Sequence, residues 1–489
     1  MKSADFWIWL FVPCLAAVSA GAQSWTPKPW LDDLAQARQA FEAKYANLEW
    51  LANDRQVSLA SLFNTAAASL QRASSDVEAR AVFDRLARGV ADAHVVIDWP
   101  NPHGAAAASA AIAPTPADGA AKFCANLGFD ATQMRAGLAQ YLRGYSSVGS
   151  DGIFPAGVVN AGAERVGVLR IGLFEAEAYP ALCTKAFEAL KPIADPCTDA
   201  CQDKISDWIY AQMTVELEAQ LGAVKAAGAT TLLVDLTANP GGTEWTWAAV
   251  RTMSAKTLLS DRRGFVRGEH WSKKWANTAD QLRAAATKAA PDDRTRLLEW
   301  AAKSDAAHKV AETPCRPGDG CEWTPIADYG TGLVGQARSD EFAGKPWGRL
   351  VFDAAQFPYH DGVWSGPTLV LVDERTGSAA EAFAAILQDN QAAVIIGSRT
   401  SGSGGGFTDG GTPTVLTNSG GIVRMPDFVS FRADGSNRVS GVIPDFLVGM
   451  RVTDGSRFRI KLIMEQLPQA INRAKFLARP HPVEHGSTQ

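Results

Sequence analysis

The sequence predicts an α/β fold, because short apolar strands alternate with longer segments of helical character. Three strands are the clearest: residues 231–237, 368–372 and 393–397 are rich in Val, Leu and Ile, and each runs into a glycine-containing turn. A fourth strand is predicted over 165–174. Helices are predicted between the strands, over about 180–193, 205–227 and 379–387, the last built from strong helix formers.

Segments outside this alternation predict additional units. Residues 27–98 are expected to form an N-terminal helical domain, since Leu34, Ala37 and Phe41 recur at helical spacing. Residues 99–163 are a linker or small subdomain. The core is discontinuous, 164–252 and 348–452, around an insertion over 253–347 whose middle predicts two exposed helices, either a lid or a surface decoration. A C-terminal helix and tail, 453–489, follow, with the helix expected to break at Pro468.

Composition and charge indicate an exported globular protein. Of 489 residues, 46% are hydrophobic and 20% are charged, which is enough apolar material for a sizeable core. The net charge of -5 and the absence of a Lys/Arg cluster argue against a nucleic-acid partner. Residues 1–22 have the pattern of a signal peptide, with one Lys, an apolar run and small residues at its end. We therefore expect a periplasmic or extracellular location, without stable membrane insertion after cleavage.

Cysteine spacing supports the same compartment. Six of the seven cysteines follow the predicted signal peptide, and an even number in an exported chain predicts disulfides. Cys197–Cys201 and Cys315–Cys321 are attractive local pairs, which leaves Cys124 and Cys183 for each other. Zinc is the alternative for close cysteines, but no Cys-x-x-Cys pair supports it. We expect no metal and no cofactor.

Ser378 is the first candidate for a catalytic residue. It lies between the strand 368–372 and the helix that starts at Ala379, behind the break at Thr376-Gly377. A hydroxyl at this point can be exposed beside the free backbone N–H groups of the first helical turn, which suits a nucleophile. The alternative is that Ser378 is only a helix N-cap, a position that serine commonly fills.

Four segments in order favour the catalytic alternative. They are Asn239-Pro-Gly-Gly242 after a strand, Ser378-Ala-Ala-Glu381, Gly397-Ser-Arg-Thr400-Ser-Gly402, and Gly441-Val-Ile-Pro-Asp445. This series resembles the C-terminal processing (tail-specific) proteases and the tricorn core protease family of serine peptidases. The resemblance implies a crotonase/ClpP-like spiral β-β-α core, a peptide or protein substrate, and Ser378 as the nucleophile. The PDZ domain of many family members has no clear counterpart in 99–163.

The general base departs from the commoner pattern of the family. Dyad members carry a lysine after Gly-x-x-Thr-x-Gly, where this chain has Ser403, and no lysine lies between Lys345 and Lys461. The tricorn-like branch uses a histidine instead, in an Asp-x-His element that Asp92-Ala-His94 resembles. We therefore expect His94 to be the general base, with His360 as the second choice. A buried structural histidine is the non-catalytic alternative.

The resemblance also implies the remaining site residues. Backbone N–H groups of Ala379 and of Gly241 or Gly242 are the candidates for the oxyanion hole. No glutamate matches the one that supports the histidine in tricorn, so Asp92 and Asp434 are the candidate orienting groups. The sequence predicts a serine-type endopeptidase or carboxy-terminal processing peptidase. The alternatives are a non-catalytic ligand- or peptide-binding member of the superfamily and a serine esterase or cell-wall hydrolase. The oligomeric state is not specified.

Overall fold

The computed structural model describes residues 25–479, apart from 101–115, 117–118, 150–151, 314, 316–318, 331 and 409–410. The predicted signal peptide, most of the alanine-rich segment after Pro100 and the last ten residues therefore lie outside the described residues. Among the helices that are described, none is both long enough and apolar enough to cross a membrane.

The described residues form twelve α-helices and fourteen β-strands, which confirms the α/β prediction. The helices are α1 (Lys28–Lys44), α2 (Leu48–Asn53), α3 (Leu59–Leu70), α4 (Asp76–Val90), α5 (Ala120–Asn126), α6 (Pro180–Ala189), α7 (Asp199–Ala226), α8 (Trp245–Arg251), α9 (Glu269–Ala286), α10 (Pro291–Glu312), α11 (Ala379–Asp389) and α12 (Ser456–Leu477). The strands are β1 (Val96–Asp98), β2 (Ser146–Ser147), β3 (Ala156–Ala161), β4 (Glu164–Arg170), β5 (Thr231–Asp235), β6 (Arg262–Phe265), β7 (Ile326–Tyr329), β8 (Thr368–Val372), β9 (Val394–Gly397), β10 (Gly405–Gly406), β11 (Thr414–Val415), β12 (Ile422–Arg424), β13 (Phe428–Phe431) and β14 (Phe446–Leu447).

The main sheet has seven strands in the order β14-β9-β8-β5-β4-β3-β2. The five strands from β14 to β4 are parallel to one another. Strands β3 and β2 extend the sheet beyond β4, each antiparallel to its neighbour. The carboxyl ends of β5, β8 and β9 therefore meet at one edge of the sheet. Helix α11 starts at that edge, so the loops after these three strands are brought together there, which is where ligands bind in open α/β sheets.

Two smaller sheets attach the outer segments to this core. Strand β1, which follows the N-terminal helices, pairs with β12 in the three-stranded order β1-β12-β11. Strand β6 of the insertion pairs with β13 in the four-stranded order β10-β13-β6-β7. Helices α1–α4 also share a hydrophobic cluster with Met425 and Val439 of the C-terminal part. The segment before β1 is thus held against the C-terminal part of the chain.

Two details of the sequence prediction are wrong. The two helices in the insertion are not simply exposed, because one face of each packs in the main hydrophobic core. Leu282 of α9 and Trp300 of α10 are among the buried residues on these faces. Helix α12 does not break at Pro468, because Leu467, Ala470 and neighbouring apolar residues pack against the sheet on both sides of the proline. That burial outweighs the loss of one backbone hydrogen bond, a cost of about 3 kcal/mol.

All three proposed disulfides are present: Cys124–Cys183, Cys197–Cys201 and Cys315–Cys321. Cys124 on α5 is thereby joined to Cys183 on α6, while the other two bonds close short loops. We expect the chain beyond residue 22 to contain no free thiol when it is denatured without reductant, as measured by Ellman titration. Two or more titratable thiols per molecule would contradict this framework.

Candidate active site

Ser378 lies in a sharp turn between strand β8 and helix α11. Its backbone has φ +49° and ψ -118°, a conformation that non-glycine residues rarely adopt and that often marks a functional site. Asp373 stabilises this turn. Its carboxylate accepts a hydrogen bond from the Ala238 N–H (2.8 Å) and forms an ion pair with Arg459 (2.6 Å). A strained serine in a strand–turn–helix element is typical of nucleophiles in hydrolases.

Glu381 joins the serine turn to the glycine-rich loop after β9. Its buried carboxylate accepts hydrogen bonds from the N–H groups of Ser378 (3.0 Å), Gly402 (2.8 Å) and Ser403 (2.7 Å), and from the hydroxyl of Thr400. Burial raises the pKa of Glu381, and these hydrogen bonds oppose the shift. Glu381 therefore bonds the serine turn to the glycine-rich loop.

His94 is carried by the turn between helix α4 and strand β1. Buried Asp92 shapes this turn, because its Oδ1 accepts the His94 backbone N–H at 3.0 Å. Its Oδ2 accepts the Tyr45 hydroxyl (3.0 Å) and the Asn47 side-chain amide (2.8 Å). Sequence analysis missed Tyr45 and Asn47, since nothing in the local pattern links them to a carboxylate more than 40 residues away. Asp92 therefore orients the backbone of His94 and not its ring.

The structure brings His94 and Ser378 together from distant parts of the chain. The His94 Nε2 lies 3.1 Å from the Ser378 Oγ, within hydrogen-bond range. The other ring nitrogen, Nδ1, is buried and has no hydrogen-bond partner among the described residues. The ring also packs edge-on against Phe407, with the two centroids 5.6 Å apart. A base in this position can take the serine proton if its own ring proton is on Nδ1.

The environment of His94 favours the neutral imidazole. Burial lowers the pKa of His94, Asp92 opposes that shift through its negative charge, and Arg438 adds to it. Only the neutral imidazole can accept the serine proton, and its pKa is lowered. The rate of hydrolysis should therefore rise with pH through a midpoint below the ordinary histidine pKa of about 6.5. We expect the rate at which a fluorophosphonate labels Ser378 to be fully developed by about pH 7. A midpoint at or above about 6.5 would contradict the assigned environment of this base.

The other candidates for base and orienting group lie elsewhere. The His360 ring is 82% exposed and pairs with Glu218 on α7 at 2.9 Å. Asp434 lies in an exposed turn and accepts hydrogen bonds from the N–H and hydroxyl of Ser436, at 2.9 and 2.7 Å. Its hydrogen bonds within the described chain do not include His94. Ser403, at the family's lysine position, is buried and pairs with the Ser401 hydroxyl at 3.1 Å.

The two glycines after β5 differ in what their N–H groups do. The Gly241 N–H donates to the Asn239 side chain at 2.9 Å, whereas the Gly242 N–H has no partner among the described residues and Gly242 is exposed. The Ala379 N–H at the start of α11 likewise lacks a partner within that set. A Cβ on Gly241 would lie 2.6 Å from the Ser378 Cβ, so only glycine permits this approach. The arrangement favours Gly242 and Ala379 as donors to an oxyanion.

Comparisons with known proteins identify the family. The model of peptidase family S41 matches residues 204–448, half of the chain, and this range includes Ser378 and both glycine-containing loops. The chain belongs to peptidase family S41. This family and its fold support a peptidase function, with peptides or proteins as substrates. A comparison with curated proteins finds no match.

Solved structures of family S41 peptidases share the fold. Mature CPAF complexed with lactacystin is 15% identical and has a TM-score of 0.56, with 91% of this chain and 99% of that chain covered. Mature CPAF alone gives 15% identity and a TM-score of 0.52, covering 91% and 98%. The photosystem II D1 C-terminal processing protease is 13% identical with a TM-score of 0.34, covering 89% and 97%. The two CPAF structures, whose TM-scores exceed 0.5, show that this S41 peptidase has the fold that the sequence predicted.

Proposed function

We propose that this S41 peptidase is an exported serine peptidase in which Ser378 is the nucleophile and His94 the general base. The observation that carries the proposal is the 3.1 Å contact between the His94 Nε2 and the Ser378 Oγ. No lysine lies between Lys345 and Lys461, so the lysine of the dyad pattern is missing from its usual segment. A histidine that reaches the serine from the N-terminal part supplies the base that the glycine-rich loop lacks.

The geometry supports acyl transfer in two stages. The Ser378 Oγ attacks the scissile carbonyl carbon while its proton passes to the His94 Nε2, and the carbonyl oxygen becomes an oxyanion. The N–H groups of Gly242 and Ala379 donate to that oxygen. The C–N bond then breaks, and the protonated imidazole gives its proton to the leaving amine. Water, deprotonated by His94, attacks the acyl-enzyme and releases the carboxylic acid and the free serine.

Asp92 performs only part of the role that the aspartate has in a Ser-His-Asp triad. In a Ser-His-Asp arrangement the carboxylate bonds the second ring nitrogen and stabilises the imidazolium. Here the Asp92 carboxylate bonds the backbone N–H of His94, and its negative charge favours the protonated ring from a short distance. We infer that Asp92 fixes the turn and supplies electrostatic stabilisation, so its replacement should weaken catalysis less than replacement of His94.

Three disulfides support the proposed export, because such bonds persist in oxidising compartments. The signal peptide that the sequence predicts would provide the route to the periplasm or the exterior. Whether the enzyme cleaves internal bonds or processes carboxyl termini depends on the substrate path. We propose the endopeptidase, because residues 99–163 contain no clear counterpart of the PDZ domain that many family members carry.

Labelling with a fluorophosphonate probe, followed by peptide mapping, tests the proposal directly. The probe forms a bond between phosphorus and the nucleophilic oxygen, with loss of fluoride, and therefore marks only an activated hydroxyl. We expect one modification, on Ser378. No labelling of the folded protein would favour the non-catalytic binding alternative, and labelling without cleavage of a peptide library would favour an esterase.

A further inference from the structure

Two segments meet directly behind the proposed oxyanion donor Gly242. The segment after β4 runs alongside the loop after β5, with the Phe174 N–H donating to the Gly241 carbonyl (2.8 Å) and the Thr243 N–H donating to the Phe174 carbonyl (2.9 Å). The approach is so close that a Cβ on Gly242 would lie 2.4 Å from the Phe174 carbonyl carbon. The position of the Gly242 N–H therefore depends on how the Phe174 segment and this loop are held together.

The hydroxyl of Tyr210, on helix α7, lies at the junction of these two segments. Its oxygen accepts from the Thr243 hydroxyl at 3.0 Å, and the same Thr243 oxygen lies 2.8 Å from the Phe174 carbonyl, so the one Thr243 proton is shared between the two acceptors. The Tyr210 hydroxyl also accepts from the Ala176 N–H at 3.4 Å and donates to the Glu175 Oε1 at 3.2 Å. One buried oxygen thus touches the loop on one side and the Phe174–Ala176 segment on the other. None of these residues touches the reacting atoms.

We propose that Tyr210 is a positioning residue for the oxyanion hole, whose hydroxyl clamps the Phe174–Ala176 segment to the Gly241–Thr243 loop and so fixes the Gly242 N–H. This inference rests on the proposed function, because it assigns a supporting role to an oxyanion donor. Catalytic donors must keep their place to a fraction of an ångström, and small displacements cost rate without abolishing substrate binding.

The charges around the clamp give it a distinctive pH dependence. Burial, followed by the hydrogen bond and negative charge of Glu177, raises the pKa of Glu175 to about 8; the hydrogen bond from Tyr210 opposes this shift, and Glu244 adds a smaller contribution to it. The neutral form of Glu175 therefore predominates at pH 7. Glu244 directly follows Thr243, so ionised Glu175 and Glu244 would repel each other across the two segments that the clamp joins. We expect the rate of acylation to fall again above about pH 8.

The clamp can be tested with one tyrosine hydroxyl removed at a time. In Tyr210→Phe the ring can still pack on Phe357, but the shared oxygen is lost. Tyr179→Phe is the matched control, since Tyr179 is also buried and its hydroxyl donates to the Leu173 carbonyl (2.7 Å) without a bond to the Gly241–Thr243 loop. Saturation kinetics of Ser378 labelling by the fluorophosphonate probe separate the maximal rate from the half-saturating probe concentration.

We expect Tyr210→Phe to lower the maximal labelling rate about tenfold, with the half-saturating concentration within about twofold of wild type. Tyr179→Phe should keep the wild-type rate even if its melting temperature falls. Thr243→Val should resemble Tyr210→Phe, and the double variant should lose little more, because both act through one contact. Equal rates in Tyr210→Phe and Tyr179→Phe would overturn the proposal, whereas absence of wild-type labelling would overturn the proposed function instead.

The pH profile provides a second test that does not depend on how well the tyrosine variant folds. Glu175→Gln imitates the protonated acid and cannot ionise, so its labelling rate should stay level where the wild-type rate declines above about pH 8. A wild-type profile without an alkaline decline, or a decline that persists unchanged in Glu175→Gln, would reject the link between this carboxyl group and the oxyanion hole.

Discussion

Replacement of Ser378 by alanine should abolish peptide hydrolysis and fluorophosphonate labelling while leaving the fold intact. The expected loss is about 10⁴-fold or more, because the attacking oxygen itself is removed. Alanine keeps the Cβ that lies against Gly241, so the strained turn should be preserved. Hydrolysis of a fluorescent casein substrate, together with circular dichroism, would measure both effects.

A neighbouring serine gives the matched control for this variant. Ser401 lies in the glycine-rich loop, is exposed, and pairs with Ser403 rather than with a histidine. Ser401→Ala should therefore retain labelling at Ser378. If Ser378→Ala cleaves casein at the wild-type rate with an unchanged circular dichroism spectrum, the nucleophile has been misassigned.

Replacement of His94 by alanine should cost nearly as much activity as Ser378→Ala. Without an acceptor at 3.1 Å, the serine hydroxyl stays protonated and is a weak nucleophile. The double variant should be little worse than either single variant, because the two residues act as one unit. Steady-state hydrolysis of casein by the three variants and the wild type would provide the comparison.

His360 is the control for the loss of a histidine. Its exposed ring pairs with Glu218, so His360→Ala should keep most of the activity and the same acidic limb of the pH profile. If His94→Ala is active and His360→Ala is inactive, then His360 rather than His94 is the general base. Activity in both, with Ser378→Ala inactive, would show that the base is another residue, such as a lysine from outside the glycine-rich loop.

The sequence predicted the α/β class and the Ser378–His94 pair because both depend on local pattern and motif order. Strand β8, its glycine turn and helix α11 form from consecutive residues, so the position of Ser378 follows from the chain itself. His94 was found only through the order of the motifs, since the contact spans 284 residues. Its role in the reaction stays a prediction.

Contacts that join several distant segments were beyond sequence reasoning. Asp92 was a candidate for orienting the His94 ring, but its carboxylate accepts a hydrogen bond from the backbone N–H of His94 instead. The Tyr210 hydroxyl gained its neighbours from two loops that only the assembled sheet brings together. The polar composition of α9 and α10 predicted exposure, whereas the tryptophans that these helices bury are the feature of their sequence that indicates packing.

The bonding of Glu381 has a consequence for the newly made chain. The serine turn receives its support from Thr400, Gly402 and Ser403, which are synthesised after it. A growing chain that ends before residue 400 contains the serine, the histidine and the Glu381 carboxylate, but not the three donors that hold this carboxylate in place. Such a chain should be inert, so the enzyme cannot attack its neighbours, or itself, until most of its C-terminal half has been made and folded.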